Sequence, residues 1–298
     1  MAAVEVRNVV KSFGDRVAVD GLSFTVDRGE ILGLIGPNGA GKTTTIRMVV
    51  DILRPDSGEI RIFGENINEA LKNRLGYLPE ERGLYRKMSV MDSIRYLSSL
   101  KGVGRGRAEE RAGALLQQTG MAAHSTKKID ELSKGMAQIV QFIIAIVHDP
   151  EVVILDEAFS GLDPVNTELL KELVVDLRSQ GKVVVLSTHQ MSQVEELCDR
   201  VLMVDHGRAV LYGSLEDTRA RYRGNSVIVG FEGELGEVPG VIARREHKGY
   251  VELVIDEGTT PAEILQRMVR SGVAITRFEA ATPSLNDIFL KVVGANHE

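Results

Sequence analysis

The sequence predicts an α/β fold: a parallel sheet core, an antiparallel β layer ahead of it, a helical subdomain within it and a small C-terminal α+β domain. Three observations predict it. Short apolar runs at Glu30–Ile35, Val152–Leu155 and Val183–Ser187 have the look of parallel strands covered on both faces. Helical segments at Lys42–Leu53 and Asn166–Ser179 alternate with them. A glycine-rich stretch, Gly36–Thr43, joins the first run to the first helix.

Taken in order, Ala3–Val9, Val17–Val19 and Leu22–Val26 read as early strands of the antiparallel layer, parted by the turn residues Gly14, Asp15 and Gly21. The helix at Lys42–Leu53 stops before Pro55. From about Lys87 to Val147 the pattern is helical, strongest at Met88–Leu100, Ala108–Thr119 and Lys134–Val147. Val201–Val204 and Ala209–Tyr212 form a hairpin about Asp205–Gly207. Composition turns polar and basic at Arg219–Asn225, which sets domains at 1–220 and 221–298. The second domain has apolar runs at Val227–Phe231 and Tyr250–Ile255 and helices at Pro261–Ser271 and Pro283–Val293.

With 298 residues, 43% of them hydrophobic, the chain buries a substantial core. A net charge of -6 disfavours a non-specific nucleic-acid surface. The sole cysteine, Cys198, has no intrachain partner, which fits a reducing compartment. Met1–Val10 carries Glu5, Arg7 and Asn8 among its apolar residues and lacks the apolar core of a signal peptide. The longest apolar stretch, Ile139–Val147, is interrupted by Gln141 and is about half the roughly 20 residues a membrane span needs. A cytosolic chain without a span is expected.

Gly36–Thr43 reads GPNGAGKT, two glycines separated by four residues and followed by Lys and Thr, between a strand and a helix. That is the signature of a P-loop NTPase core, with ATP and Mg²⁺ as the expected ligands. The glycines let the backbone curl so that N–H groups face phosphate oxygens. Gly36, Asn38, Gly39, Ala40, Gly41, Lys42, Thr43 and Thr44 form the expected cradle. Lys42 neutralises the β and γ oxygens, and the Thr43 hydroxyl is offered to Mg²⁺. Asp156, ending another apolar strand, is the expected magnesium-side acid, and Glu157 follows it to accept a proton from attacking water. A third strand ends in Ser187, Thr188 and His189, where a donor can sense the γ-phosphate.

Together with Leu132-Ser133-Lys134-Gly135-Met136 and Ser160-Gly161-Leu162-Asp163, these elements resemble the nucleotide-binding subunit of ABC transporters over residues 1 to about 220. The resemblance implies a head-to-tail pair with a second copy or a homologous ATPase chain. In that pair, Ser133 and Gly135 of one chain contact the γ-phosphate held by the other, and Ser160–Asp163 shape the contact. It also implies that Phe13 stacks on adenine, with a core phenylalanine as the rival reading. An integral membrane permease is the implied partner, docked at Glu81–Met88 and the helical insert, so the chain would sit peripherally at the cytoplasmic face of the cell membrane.

Two departures stand out. The signature usually has Gly and Gln where this chain has Lys134 and Met136. In Tyr77-Leu78-Pro79-Glu80-Glu81-Arg82, Glu80 replaces the glutamine that usually serves Mg²⁺ and water. A carboxylate ligates Mg²⁺ but adds negative charge beside the phosphates, which Lys134 of the second copy would offset in part. GYLPEERGLY, LSKGM and the tail Pro283–Leu290 resemble the exporter subgroup of sodium-extrusion and drug-efflux ATPases, whose members carry a C-terminal accessory domain. His247 reads as a solvated loop residue.

Alternative readings are a soluble ABC-type ATPase acting on nucleic acid or on the ribosome, or a non-catalytic binding module. DNA-acting members insert coiled-coil arms, but Thr43 to Asp156 carries no sustained heptads. Ribosome-acting members carry two cassettes, and this chain carries one. Lys42, Asp156, Glu157 and His189 together oppose a merely binding role.

Overall fold

The computed structural model describes residues 2–81, 83–222, 225–233, 235–256 and 258–294. Strands β1 (Val4–Phe13), β2 (Arg16–Val26) and β3 (Ile31–Ile35) lead into α1 (Lys42–Val49). They are followed by β4 (Ser57–Ile62), β5 (Glu65–Asn66), α2 (Glu69–Lys72) and β6 (Leu75–Leu78). The helices α3 (Val90–Ser99), α4 (Arg105–Gln118) and α5 (Lys134–Ile146) come next. Then β7 (Val152–Asp156), α6 (Pro164–Ser179), β8 (Val183–Thr188), α7 (Met191–Leu197), β9 (Arg200–Asp205), β10 (Arg208–Ser214) and α8 (Leu215–Arg221) follow. The chain continues with β11 (Ser226–Glu232), β12 (Val241–His247), β13 (Tyr250–Ile255), α9 (Pro261–Arg270), β14 (Ala274–Ala280) and α10 (Leu285–Gly294).

Two compact units divide at Leu215/Glu216, where the sequence reading divides near residue 220. The polar stretch behind that expectation, Arg219–Asn225, contains Arg223 and Gly224, which lie outside the described residues, as does Arg82 of the expected docking surface.

In the first unit, β2-β1-β4-β5 form an antiparallel sheet, and β10-β9-β3-β8-β7-β6 form a sheet whose β9, β3, β8, β7 and β6 run parallel. The two short strands expected at Val17–Val19 and Leu22–Val26 are one strand, β2. Lys11 pairs with Val19 and Val9 with Leu22, so Asp20 and Gly21 bulge out of the ladder rather than turn the chain. Gly21 has φ 65°, the left-handed conformation that such a bulge requires.

The period of two along the parallel strands explains their continuous apolarity. Leu32, Leu34, Val152, Ile154, Val183, Val185, Leu202 and Val204 face one core with Ile46 and Met48 of α1 and Val4, Val6 and Phe24 of the antiparallel layer. The intervening Ile31, Val153, Leu155, Val184 and Leu186 are buried as well. A second core holds the helical subdomain, with Val90 and Ile94 of α3, Ala112 and Leu116 of α4, and Ile139, Val140 and Ile143 of α5. Each such fully buried Val, Leu, Ile, Met or Phe side chain contributes about 1.5–3 kcal/mol.

The second unit is a β12-β13-β11-β14 antiparallel sheet with a core of Val227, Val229, Val251, Leu253, Ile264 and Met268. Its strand β12 contains His247, which stacks on Tyr250 at 4.6 Å. That corrects the loop reading of His247.

Candidate active site at the strand ends

The order β3-β8-β7-β6 brings four carboxyl ends side by side. From them issue the glycine-rich loop after Ile35, His189 after Thr188, Glu157 after Asp156, and Glu80 two residues beyond Leu78. A ligand crevice belongs at such an edge in a doubly wound sheet. A cleft of about 570 Å³ opens there, lined by Phe13, Asn38, Gly39, Gly41, Lys42, Thr43, Thr44, Glu80, Glu157, Ser160 and His189, together with Arg16 and Ala18.

The glycine-rich loop bends as its sequence requires. Gly41 has φ 105°, and a Cβ there would stand 2.4 Å from the Ala18 carbonyl oxygen. It precedes the first residue of α1, so the orphan N–H groups of that helix open toward the cleft. Lys42 is buried, and its Nζ donates to the carbonyls of Gly36 at 2.8 Å and Pro37 at 3.2 Å. Burial pulls its ammonium below the usual value, against the raising charges of Glu157, Asp156 and Glu80.

Asp156 is fully buried, and neither carboxylate oxygen has a partner within hydrogen-bonding geometry. Burial holds its pKa above the usual range. The nearby hydroxyls of Ser187 and Thr43 draw it down, and the charges of Glu80 and Glu157 raise it further. A buried acid with open lone pairs beside a threonine hydroxyl suits a hard divalent cation such as Mg²⁺. Among the described residues no cluster of three His, Cys, Asp or Glu could hold a metal.

Glu157 lies in the left-handed region at φ 51°, which is strained for a side-chain-bearing residue. Its N–H donates to the Ser187 carbonyl at 3.0 Å, and both carboxylate oxygens lie 3.0 Å from His189 Nδ1. The acid is buried and the histidine half-exposed, so His189 faces solvent on one side and Glu157 on the other.

Phe13 is 51% exposed, which excludes the core reading. Ser133 and Gly135 do not line the cleft. Ser133 is the exposed N-cap of α5, accepting from the Met136 N–H at 3.2 Å, and Gly135 is in the first turn. Sequence reasoning named neither Arg16 nor Ala18 of the lining, and of these two Arg16 carries a charge. A Cβ at Gly39 would meet its Nη2 at 3.4 Å, so the guanidinium stands over the loop. Its only sequence signal is a cation three residues beyond Phe13, which no motif singles out.

Fold and site define an ATPase of the P-loop NTPase fold. A family model described as ABC transporter matches residues 19–160, and one described as the ATP-binding protein DrrA1-3-like C-terminal domain matches 213–293. The uncharacterized ABC transporter ATP-binding protein YhaQ of Bacillus subtilis is 41% identical, covering 98% of this chain and 98% of its own. The Nod factor export ATP-binding protein I of a Rhizobium species is 33% identical over 99% of this chain and 98% of its own. A solved ATP-binding subunit of an ABC transporter matches with a TM-score of 0.70 and 30% identity, covering 74% of this chain and 93% of that one. The chain belongs to the family of ABC transporter ATP-binding proteins.

Proposed function

We propose that the chain powers export: two copies, or this chain and a homologous one, hydrolyse MgATP at the cytoplasmic face of a membrane and drive a separate permease. The observation that carries this reading is the cleft itself. It gathers Phe13, Lys42, Thr43, Glu80, Glu157 and His189 but leaves Ser133 and Gly135 outside it. In the proposed head-to-tail pair, the second chain would bring those two to the phosphates. The Nod factor export and linearmycin resistance relatives support the direction of transport. Among the described residues no helix is long and apolar enough to cross a membrane.

In this reading Phe13 stacks on adenine, and the loop N–H groups, Lys42 and Arg16 bind phosphate oxygens. Asp156, Thr43 and Glu80 would hold Mg²⁺, which would supply charge neutralisation to the phosphates. Glu157 accepts a proton from water as the water oxygen bonds to the γ-phosphorus. The bond from that phosphorus to the β,γ-bridging oxygen breaks, leaving ADP and inorganic phosphate. His189 holds the Glu157 carboxylate in place and offers its remaining ring nitrogen to the γ-phosphate region. Lys134 of the opposing copy offsets the negative charge of Glu80. The domain from about residue 221 to 298 serves dimer or permease contact.

Permease docking is assigned to Glu81–Met88 and the helical subdomain, about 87–147. There Tyr85 is 52% exposed and meets Tyr96, itself 43% exposed, edge-on at 5.6 Å. Purification in mild detergent from native membranes is expected to bring along one integral membrane protein, and Tyr85→Ala with Arg86→Ala to release it. A chain that stays soluble and partnerless, or binds nucleic acid in a salt-sensitive way, would instead favour the soluble-ATPase reading.

A further inference from the structure

Helix α5 carries two buried glutamines, Gln138 and Gln141, one turn apart and hence on one face. Both amides reach backbone carbonyls beside the acids of the cleft. Gln138 Nε2 donates to the carbonyl of Ala158, next to Glu157, at 3.1 Å. Gln141 Nε2 donates to the carbonyls of Pro79 and of Glu81, each at 3.3 Å. Those two residues flank Glu80.

The orientation of the Gln141 amide follows from its partners. An NH₂ group has two hydrogens for two carbonyls, whereas the reversed amide would set its oxygen against both. Its own Oε1 is buried without a partner, so the grip on the loop is all that this polar group gains in the interior. Its neighbours Ile139, Val140, Phe142 and Ile143 are apolar and buried. An apolar side chain would pack there without leaving a buried amide oxygen unpaired.

We infer that Gln141 is a positioning residue for Glu80. Its amide fastens both sides of the loop that delivers Glu80 to the cleft. It also ties that loop to α5, whose N-cap is Ser133. Gln138 fastens the Glu157 segment to the same helix, so a shift of either acid loop is felt at the Ser133 end. The inference rests on the reading that Glu80 serves Mg²⁺.

Gln141→Met keeps the length of the side chain and removes both donors. Binding of a hydrolysis-resistant ATP analogue, with and without Mg²⁺, is compared in the unaltered chain, Gln141→Met, Glu80→Gln and the double variant. Amide hydrogen exchange over Tyr77–Glu81 is followed alongside. Gln141→Met is expected to leave Mg²⁺-free binding and melting temperature unchanged, to weaken apparent Mg²⁺ affinity about tenfold, and to speed exchange in the loop. In the Glu80→Gln background it is expected to add nothing. An unchanged Mg²⁺ response in Gln141→Met, where Glu80→Gln alters it, overturns the positioning role and leaves the Glu80 reading standing. An unaltered Glu80→Gln removes that reading, and the inference with it. Equal losses with and without Mg²⁺ assign Gln141 to packing alone and also overturn the inference.

Discussion

Glu157→Gln is expected to lower ATP turnover by about a thousandfold while ATP binding persists, because the amide keeps the shape of the side chain but cannot take a proton. The geometry concentrates this role in one residue. Glu157 is buried, set at φ 51°, and gripped by the Ser187 carbonyl and by His189 at 3.0 Å. Such a conformation costs about 1–3 kcal/mol, and it persists where surrounding contacts hold it. Asp156 is adjacent in sequence but faces Thr43 and Ser187, which fits the metal-side role proposed for it. Single-turnover hydrolysis and equilibrium ATP binding, measured on the same variant, separate the two roles. Turnover that stays within a few-fold of the unaltered chain would remove Glu157 as the base. His189→Ala is expected to lose less, because it removes an orienting contact and leaves the proton acceptor in place.

Asp156, Glu157 and the phosphate loop are legible in the sequence because they follow short apolar runs. A parallel strand buried on both faces leaves that run as its trace, and the polar residue after it must stand at the sheet edge. Leu155–Asp156 and Leu186–His189 are read that way, and β7 and β8 each end one residue beyond the expected runs. Strand β12 is not legible. Six of its seven residues are exposed, so Ala243–His247 shows no alternation to read. Arg16 is hidden for a different reason: it reaches the cleft only because β2 folds back on β1 from Phe13. Gln141 is visible in the sequence only as an interruption of an apolar helix. Its partners at Pro79 and Glu81 are 60 or more positions away, and no local pattern announces that distance.

Two inactive variants are expected to restore one another. In a head-to-tail pair each ATP lies between Lys42 of one copy and Ser133 of the other, so Lys42→Ala and Ser133→Arg each disable both sites of a homodimer. Lys42→Ala removes the buried ammonium whose Nζ now lies within 3.2 Å of two loop carbonyls, and with it the charge that meets the β and γ oxygens. Ser133→Arg adds bulk at the exposed N-cap of α5, outside the home cleft, and is expected to leave ATP binding by the single chain intact. When the two variants are mixed, one site of each mixed pair carries both changes. The other site carries neither and turns over ATP. Statistical mixing at equal amounts makes half of the pairs mixed, so activity is expected to reach about a quarter of that of the unaltered chain if the sites act independently. If one site must wait for the other, the mixture stays inactive, although each variant still forms pairs. Activity in the Ser133→Arg homodimer equal to the unaltered chain would instead confine the site to one chain, and the role assigned to the α5 N-terminus would fall.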